Sequence, residues 1–306
     1  MSDRKNVYIN NDSKRIKKIN IKCIVSVAKY EYRKWLVNPK FFIFLVALMI
    51  LYELKTVPLL RASSYMDSPV NALEPCIAVL NSEMGVLLLG MVYLFLMSSF
   101  PTSNENIMFY IFRMGRRNWI LGEILFQFIS AVTYVILVTA VTLVQVYEKC
   151  FFANGWSLVV TEFNDMYSLE AGFRLSGIIS PNLYYQMAPF ESYIYSFGLF
   201  SLFLVICGIT FLTGCLYRKR LLFFIIQMLH ILAGFILISI DSGFKWYLPA
   251  SHSILAVHFN GYLRKYILSP WVSLFLYLVL LLIVGIVMYR KAAKVSIDMI
   301  GGDILQ

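Results

Sequence analysis

The chain has 306 residues, of which 59% are hydrophobic and 14% charged; soluble domains carry roughly 45–50% and about 25%. With a mean hydropathy of +0.72, it has too few polar groups to cover a water-facing surface, which excludes an ordinary soluble domain and marks a polytopic membrane protein. The net charge of +10 does not point to nucleic acid: 11 of the 27 basic residues fall in the first 40 positions, and most others sit in short segments between apolar runs, the pattern that encodes membrane topology.

In chain order, residues 1–40 are a basic tail that closes with an amphipathic segment. Over Ile21–Leu36, Ile21, Ile24, Val25, Ala28, Tyr32 and Trp35 recur at helical spacing, while Lys22, Lys29 and Arg33 form the opposite face. An apolar stripe beside a basic one predicts a helix lying in the membrane interface. Asn38-Pro39 ends it, because a residue before proline is pushed out of the helical region. Crossing the hydrocarbon takes about 20 mainly apolar residues. Six stretches within 41–289 qualify: Phe41–Leu60, Ala78–Phe100, Trp119–Tyr147, Tyr193–Tyr217, Leu221–Ile240 and Leu268–Tyr289. The clean apolar core of the first stops at Tyr52, before Glu53 and Lys55. The third is longer than a span needs, which predicts tilt or extension into water. The fold class is therefore an all-α integral membrane protein with six transmembrane helices, an interfacial N-terminal helix and a tail at 290–306.

With the N-terminus in the cytoplasm, the inside segments 1–40, 101–118, 218–220 and 290–306 hold 20 of the 27 basic residues. That asymmetry predicts both termini inside, in the plasma (inner) membrane. The first 40 residues lack a short apolar core with a small-residue cleavage site, so no secretory signal is expected there. The longer segments 148–192 and 241–267 then lie outside. The first sets Glu148, Glu162, Asp165, Glu170 and Glu191 against Lys149 and Arg174 and is expected to hold short helices or strands. The second carries Pro249 between apolar runs and reads as a pair of short re-entrant helices, tolerated where protein or water lines them.

Motifs for chemistry are scarce. No G-x-x-x-x-G-K-[ST] phosphate loop occurs, and no glycine is followed by lysine, so ATP binding by that machinery is excluded. Gly155-Trp156-Ser157 is an isolated G-x-S in a loop, without the base at matched depth that a serine nucleophile needs. The five cysteines form no C-x-x-C; Cys76 and Cys150 share a side, where free thiols are favoured over a disulfide. His252 and His258 are six residues apart, a spacing that points to different helix faces, so no metal site is expected. Nor is any catalytic or cofactor-binding set. Ionisable groups inside spans are costly and are functional candidates. Here they are Glu53, Glu83, Glu123 and His230. Glu53 and Glu83 are expected to pair with Lys55 or Arg61, Glu123 to lie within reach of water, and His230 to be neutral and hydrogen-bonded to a neighbouring helix.

Segment 101–118 opens with the breaker and cap signal Phe100-Pro101-Thr102-Ser103-Asn104-Glu105, and Ile107–Arg113 predicts a short helix between two spans. Arg113, Arg116 and Arg117 read at the least as topology anchors. Taken with the interfacial helix, the six spans and the Pro249 segment, the run Phe112-Arg113-Met114-Gly115-Arg116-Arg117-Asn118-Trp119-Ile120-Leu121-Gly122-Glu123 resembles the permease subunits of type 2 ABC exporters. In that family a basic pair precedes a Gly-Lys that opens the third span. Gly122 matches, but Glu123 stands in place of the lysine, so no role of that lysine is carried over. The resemblance implies a separate ABC ATPase subunit carrying ATP and Mg, docked on Phe109, Tyr110, Phe112, Arg113, Arg116 and Arg117. It also implies a second permease copy or paralogue, and a hydrophobic or amphipathic cargo such as a peptide, drug or lipid, met by spans one, two and five.

Two other classes compete. A secondary transporter shows inverted repeats and broken helices with charges near the midplane, and the sequence displays neither. A membrane sensor or assembly subunit needs only spans and a docking surface. On the orientation, cysteines introduced in 148–192 and 241–267 are expected to label from outside intact cells, and those in 101–118 and 218–220 to stay unlabelled. Outside labelling of Ser103→Cys overturns it.

Overall fold

The computed structural model describes residues 19–101, 113–167, 172, 175, 177–260 and 266–294, without the side chains of 292–294. Those residues form an all-α membrane protein. Its helices are α1 (Ile21–Leu36), α2 (Phe41–Met66), α3 (Glu74–Leu80), α4 (Glu83–Met97), α5 (Arg116–Val146), α6 (Leu158–Met166), α7 (Pro181–Tyr184), α8 (Pro189–Leu216), α9 (Arg220–Ser239), α10 (Pro249–His252) and α11 (Pro270–Lys294). Among the described residues, α2, α5, α8, α9 and α11 are long and apolar enough to cross a membrane, and α3 with α4 adds a sixth crossing if the bent pair counts as one. Sheet is confined to a two-residue parallel pair, Val70–Asn71 with Cys150–Phe151, and an isolated bridge between Phe259 and Tyr266. The end bearing Ser98 and segment 217–220 is called the basic end below, and the end bearing 148–192 and 241–267 the loop end.

Helix α8 is the axis. Of its apolar stretch 83% is buried, against 22% for α9 and 17% for α11. A helix that is apolar all round is buried by its neighbours, and α4, α5, α9 and α11 all pack on α8. The outer helices turn residues such as Leu221, Leu229, Phe275 and Leu282 outward, where lipid covers them.

Two expected spans are corrected. Helix α2 continues past Leu60 to Met66, and a π-helical turn at Tyr52–Thr56 sits where the apolar core stops. The stretch Ala78–Phe100 is broken into α3 and α4, bent by 75°. The break is local chemistry. The Asn81 side chain donates to the Ile77 carbonyl at 3.0 Å, and the Ser82 hydroxyl donates to Val79 O at 3.0 Å and accepts from Gly85 N at 3.0 Å. One helix is thus closed and the next capped by adjacent residues. Gly85 is required, since a Cβ there falls 1.9 Å from the Val79 carbonyl oxygen. The third stretch is longer than a span needs, as expected: α5 at 31 residues reaches about 46 Å at ~1.5 Å per residue, more than the hydrocarbon alone demands.

Both ends of the α3–α4 pair are anchored by charge. At the loop end, the buried Glu74 carboxylate accepts from Asn71 N (3.0 Å), Ser157 N (2.7 Å) and Ser157 Oγ (2.8 Å). Three donors offset part of the desolvation of that group and tie Ser157 to the start of α3. At the basic end, Lys40 donates to Ser98 Oγ at 2.7 Å and Arg220 donates to the Ser98 carbonyl. Cations at a helix C-terminus complement its exposed carbonyls and dipole.

Helix α1 lies along the first half of α5. Asn20 N donates to Asn118 Oδ1 at 3.0 Å, and Tyr32 and Thr133 share a hydroxyl bond at 3.1 Å, so the two helices run in the same direction. Its buried face is Val27, Ala28, Glu31 and Trp35, while Ile21 is 74% and Val25 48% exposed. The expected apolar stripe is thereby shifted, because the closest approach is set by Gly122. A Cβ on that glycine falls 2.6 Å from Val27 Cβ and 2.9 Å from the Ile24 carbonyl. Gly122→Ala is expected to destabilise the protein by about 1–3 kcal/mol, read as a lowered unfolding midpoint in detergent. Adding Val27→Ala removes only the Cγ1 contact at 2.8 Å and restores only part, because the Val27 Cβ and the Ile24 carbonyl stay in place; full restoration or no initial loss contradicts this packing.

Candidate functional site

Two helix irregularities converge at the loop end. The π turn of α2 packs against α3 next to the Asn81–Ser82 break, and between them lies a cavity of about 950 Å³. π turns and interrupted spans are tolerated where backbone lines a cavity, and both mark functional sites in membrane proteins. The π turn contributes Lys55, the break contributes Asn81, Ser82 and Glu83, and the end of α9 contributes Phe235, Ile238 and Ser239. Asn182 of α7 and Ile254 and Phe259 from the segment around α10 close it.

Lys55, Glu83 and Asn81 are each held by neutral neighbours. Lys55 Nζ donates to the Gly177 carbonyl at 2.9 Å, and Glu83 Oε2 accepts from the Ser239 hydroxyl at 2.5 Å. Asn81 donates to Ser196 Oγ of α8 at 2.7 Å and accepts from Ala256 N at 3.3 Å, fixing the break against α8 and the 3₁₀ turn Leu255–His258. The expected pairing of Glu53 and Glu83 with Lys55 or Arg61 does not occur. An ion pair at the same cavity joins Lys245 to Asp241. Lys55 and Glu83 act on each other across the cavity without contact, and Glu53 and Arg61 are exposed. Lys55 is taken up by the Gly177 carbonyl and Glu83 by the Ser239 hydroxyl instead.

Behind the cavity, the segment around α10 is pinned to α11 by two histidines. His252 Nδ1 and His258 Nε2 each lie 2.7 Å from Ser273 Oγ, His252 Nε2 lies 2.9 Å from the Trp246 carbonyl, and His258 Nδ1 lies 2.9 Å from that of Ile254. Helical spacing predicts different faces for the two rings. They converge because α10 ends at His252 and the chain re-enters a 3₁₀ turn at Leu255. Trp246 packs on both rings, and Tyr277 bonds the Pro249 carbonyl beside them at 2.7 Å.

The remaining expected site residues are scattered. Glu123, expected near water, is fully buried, with the Trp119 side chain beside it and Glu31 of α1, itself buried, as the charge acting on it. Gly122 draws α1 over that stretch of α5 and excludes the water. His230 Nε2 is buried without the expected partner. Lys22, Lys29 and Arg33 are exposed on α1 and Trp35 is buried. Arg113 is exposed, and Arg116 and Arg117 open α5, with the Arg117 guanidinium 5.5 Å from the Tyr289 ring centre. Phe109, Tyr110 and Phe112, like most of the expected Ile107–Arg113 helix, lie outside the described residues. The five cysteines are free thiols. Among the described residues, no group of three or more His, Cys, Asp or Glu is placed to hold a metal ion.

Sequence reasoning missed Asn81, Ser82, Asn182 and Ser239 as site residues. The available signal was Asn81-Ser82, two capping residues in an otherwise apolar run. Comparison of the chain with protein-family models, with curated proteins and with solved structures returns no match.

Burial pushes the His258 imidazole down to about 4 and lowers His252 as well. The ordinary value is about 6.5, so the unfolded chain takes up protons first. The contribution of His258 to stability is full above about pH 6.5 and is lost as the pH falls towards 4, by up to roughly 3 kcal/mol. His258→Asn keeps a donor towards Ile254 and cannot be protonated. Unfolding midpoints across that window are expected to fall less steeply in the variant, and an unchanged acid limb rules out His258 as its source.

Proposed function

We propose that this chain is the membrane-spanning permease subunit of an ATP-driven exporter of the ABC type, with the basic end and both termini in the cytoplasm of the plasma (inner) membrane. A separate ATPase subunit binds ATP and Mg, and a second permease copy or paralogue completes the pathway. The observation that carries a transport role is the polar cavity at two interrupted spans. A purely structural membrane subunit has no use for two helix irregularities whose freed groups line one space, since each such irregularity is costly in hydrocarbon.

The ATP-driven reading rests on three supports: the resemblance in segment 112–123, the missing phosphate loop, and the α1–α5 clamp. Asn118, one residue into the helix from Arg117, bonds Asn20 at the start of α1, so a push on segment 101–118 reaches α5 and α1 together. A secondary transporter is the second reading. The broken α3–α4 pair, with Lys55 and Glu83 beside it, is the feature such proteins use at their sites.

The two readings part on one partner. Aromatic and Arg anchors carry most of an interface's energy, so Tyr110→Ala with Phe112→Ala is expected to abolish copurification of an ATPase subunit, or to uncouple ATP hydrolysis from transport, while insertion stays normal. If the wild-type chain purifies with no ATPase and its transport stops when the proton gradient is collapsed, the secondary-transporter reading replaces this one.

A further inference from the structure

Among the described residues, the cavity between the π turn and the break carries two cationic and two anionic side chains, Lys55 and Lys245 with Glu83 and Asp241. Lys245 and Asp241 neutralise each other. Lys55 and Glu83 do not, and each spends only part of its capacity. An ammonium has three donors and a carboxylate about four acceptor positions; one donor of Lys55 goes to Gly177, and Glu83 takes one proton from Ser239. Unpaired charges in a membrane domain are costly and are kept for a partner. An anion alone would satisfy Lys55 and be repelled by Glu83, and a cation alone would do the reverse. A molecule with both charges, separated, satisfies the two at once.

We infer that this cavity is a binding site for an amphipathic zwitterion, with its carboxylate or phosphate on Lys55 and its primary ammonium on Glu83. The walls fit the rest of such a molecule. Asn182 and Ser82 offer amide and hydroxyl groups, and Phe235 and Ile254 offer apolar surface. The volume of about 950 Å³ lies within the range of about 300–1,000 Å³ typical of small-molecule sites. Two sources share this chemistry, a water-borne dipeptide and the phosphoethanolamine headgroup of a lipid. As the identity of a cargo the inference rests on the permease reading; as a binding site it does not, and equilibrium binding with no ATPase present separates the two.

The test uses the full chain in phosphatidylglycerol nanodiscs and the dipeptide Phe-Leu, with its N-acetyl and C-amide derivatives as probes. Removing either ligand charge is expected to weaken binding about tenfold, the scale of one charged hydrogen bond. Lys55→Gln should erase the penalty for the C-amide alone, and Glu83→Gln that for the N-acetyl form alone. The wild-type comparison stands without any variant, so a misfolded variant leaves the inference testable. Adding phosphatidylethanolamine assigns the source: if it displaces the dipeptide from wild type the headgroup is the occupant, and if it does not the water-borne zwitterion is. Equal binding of free and blocked dipeptides, no binding at all, or penalties that persist unchanged in both variants overturns the site.

Discussion

Backbone amides and carbonyls inside a membrane have no water to turn to, so a spanning helix can stop only where other groups take over its bonds. Much of the loop end of this protein is organised by how that requirement is met at Asn81 and Ser82. One serine hydroxyl serves both helices, giving to Val79 and accepting from Gly85, while Asn81 reaches back to Ile77 and across to Ser196 and Ala256. With the break fixed in this way, α3 turns aside, and Glu74 at its start is left to grip Ser157. The π turn of α2 packs in the angle, and the cavity forms between them.

The basic end follows a different rule. There the chain relies on close approach, with Gly122 letting α1 lie against α5 and Lys40 and Arg220 closing the end of α4. The cost of that closeness is visible at Glu123, a carboxyl shut away from water beside the Trp119 indole and the buried Glu31.

How much of this was legible depends on what each feature rests on. Apolar runs alone located α5, α8, α9 and α11 to within a few residues, because the hydrocarbon sets their length. The helix Ile21–Leu36 was legible from its periodicity and from Asn38-Pro39 behind it, but not its buried face, since a glycine 95 positions from Val27 decides which residues touch. The α3–α4 break was hidden because average hydropathy stays high across Asn81-Ser82, and the decisive bonds come from side chains whose partners lie as far off as Ala256. Glu53 and Glu83 were read as partners of Lys55 or Arg61 because sequence supplies charges and not the Gly177 carbonyl and Ser239 hydroxyl that take up Lys55 and Glu83. The docking aromatics of segment 101–118 remain a reading of sequence.

The histidine contacts around Ser273 yield to simple counting. The carbonyls of Trp246 and Ile254 can only accept, so His252 gives its hydrogen from Nε2 and His258 from Nδ1. That leaves two bare ring nitrogens facing a single O–H. Four contacts are laid out and the neutral groups bring three hydrogens. The hydroxyl of α11 must therefore favour one ring at a time, and a turn about its C–O bond moves the vacancy from one ring to the other with hardly a heavy atom displaced.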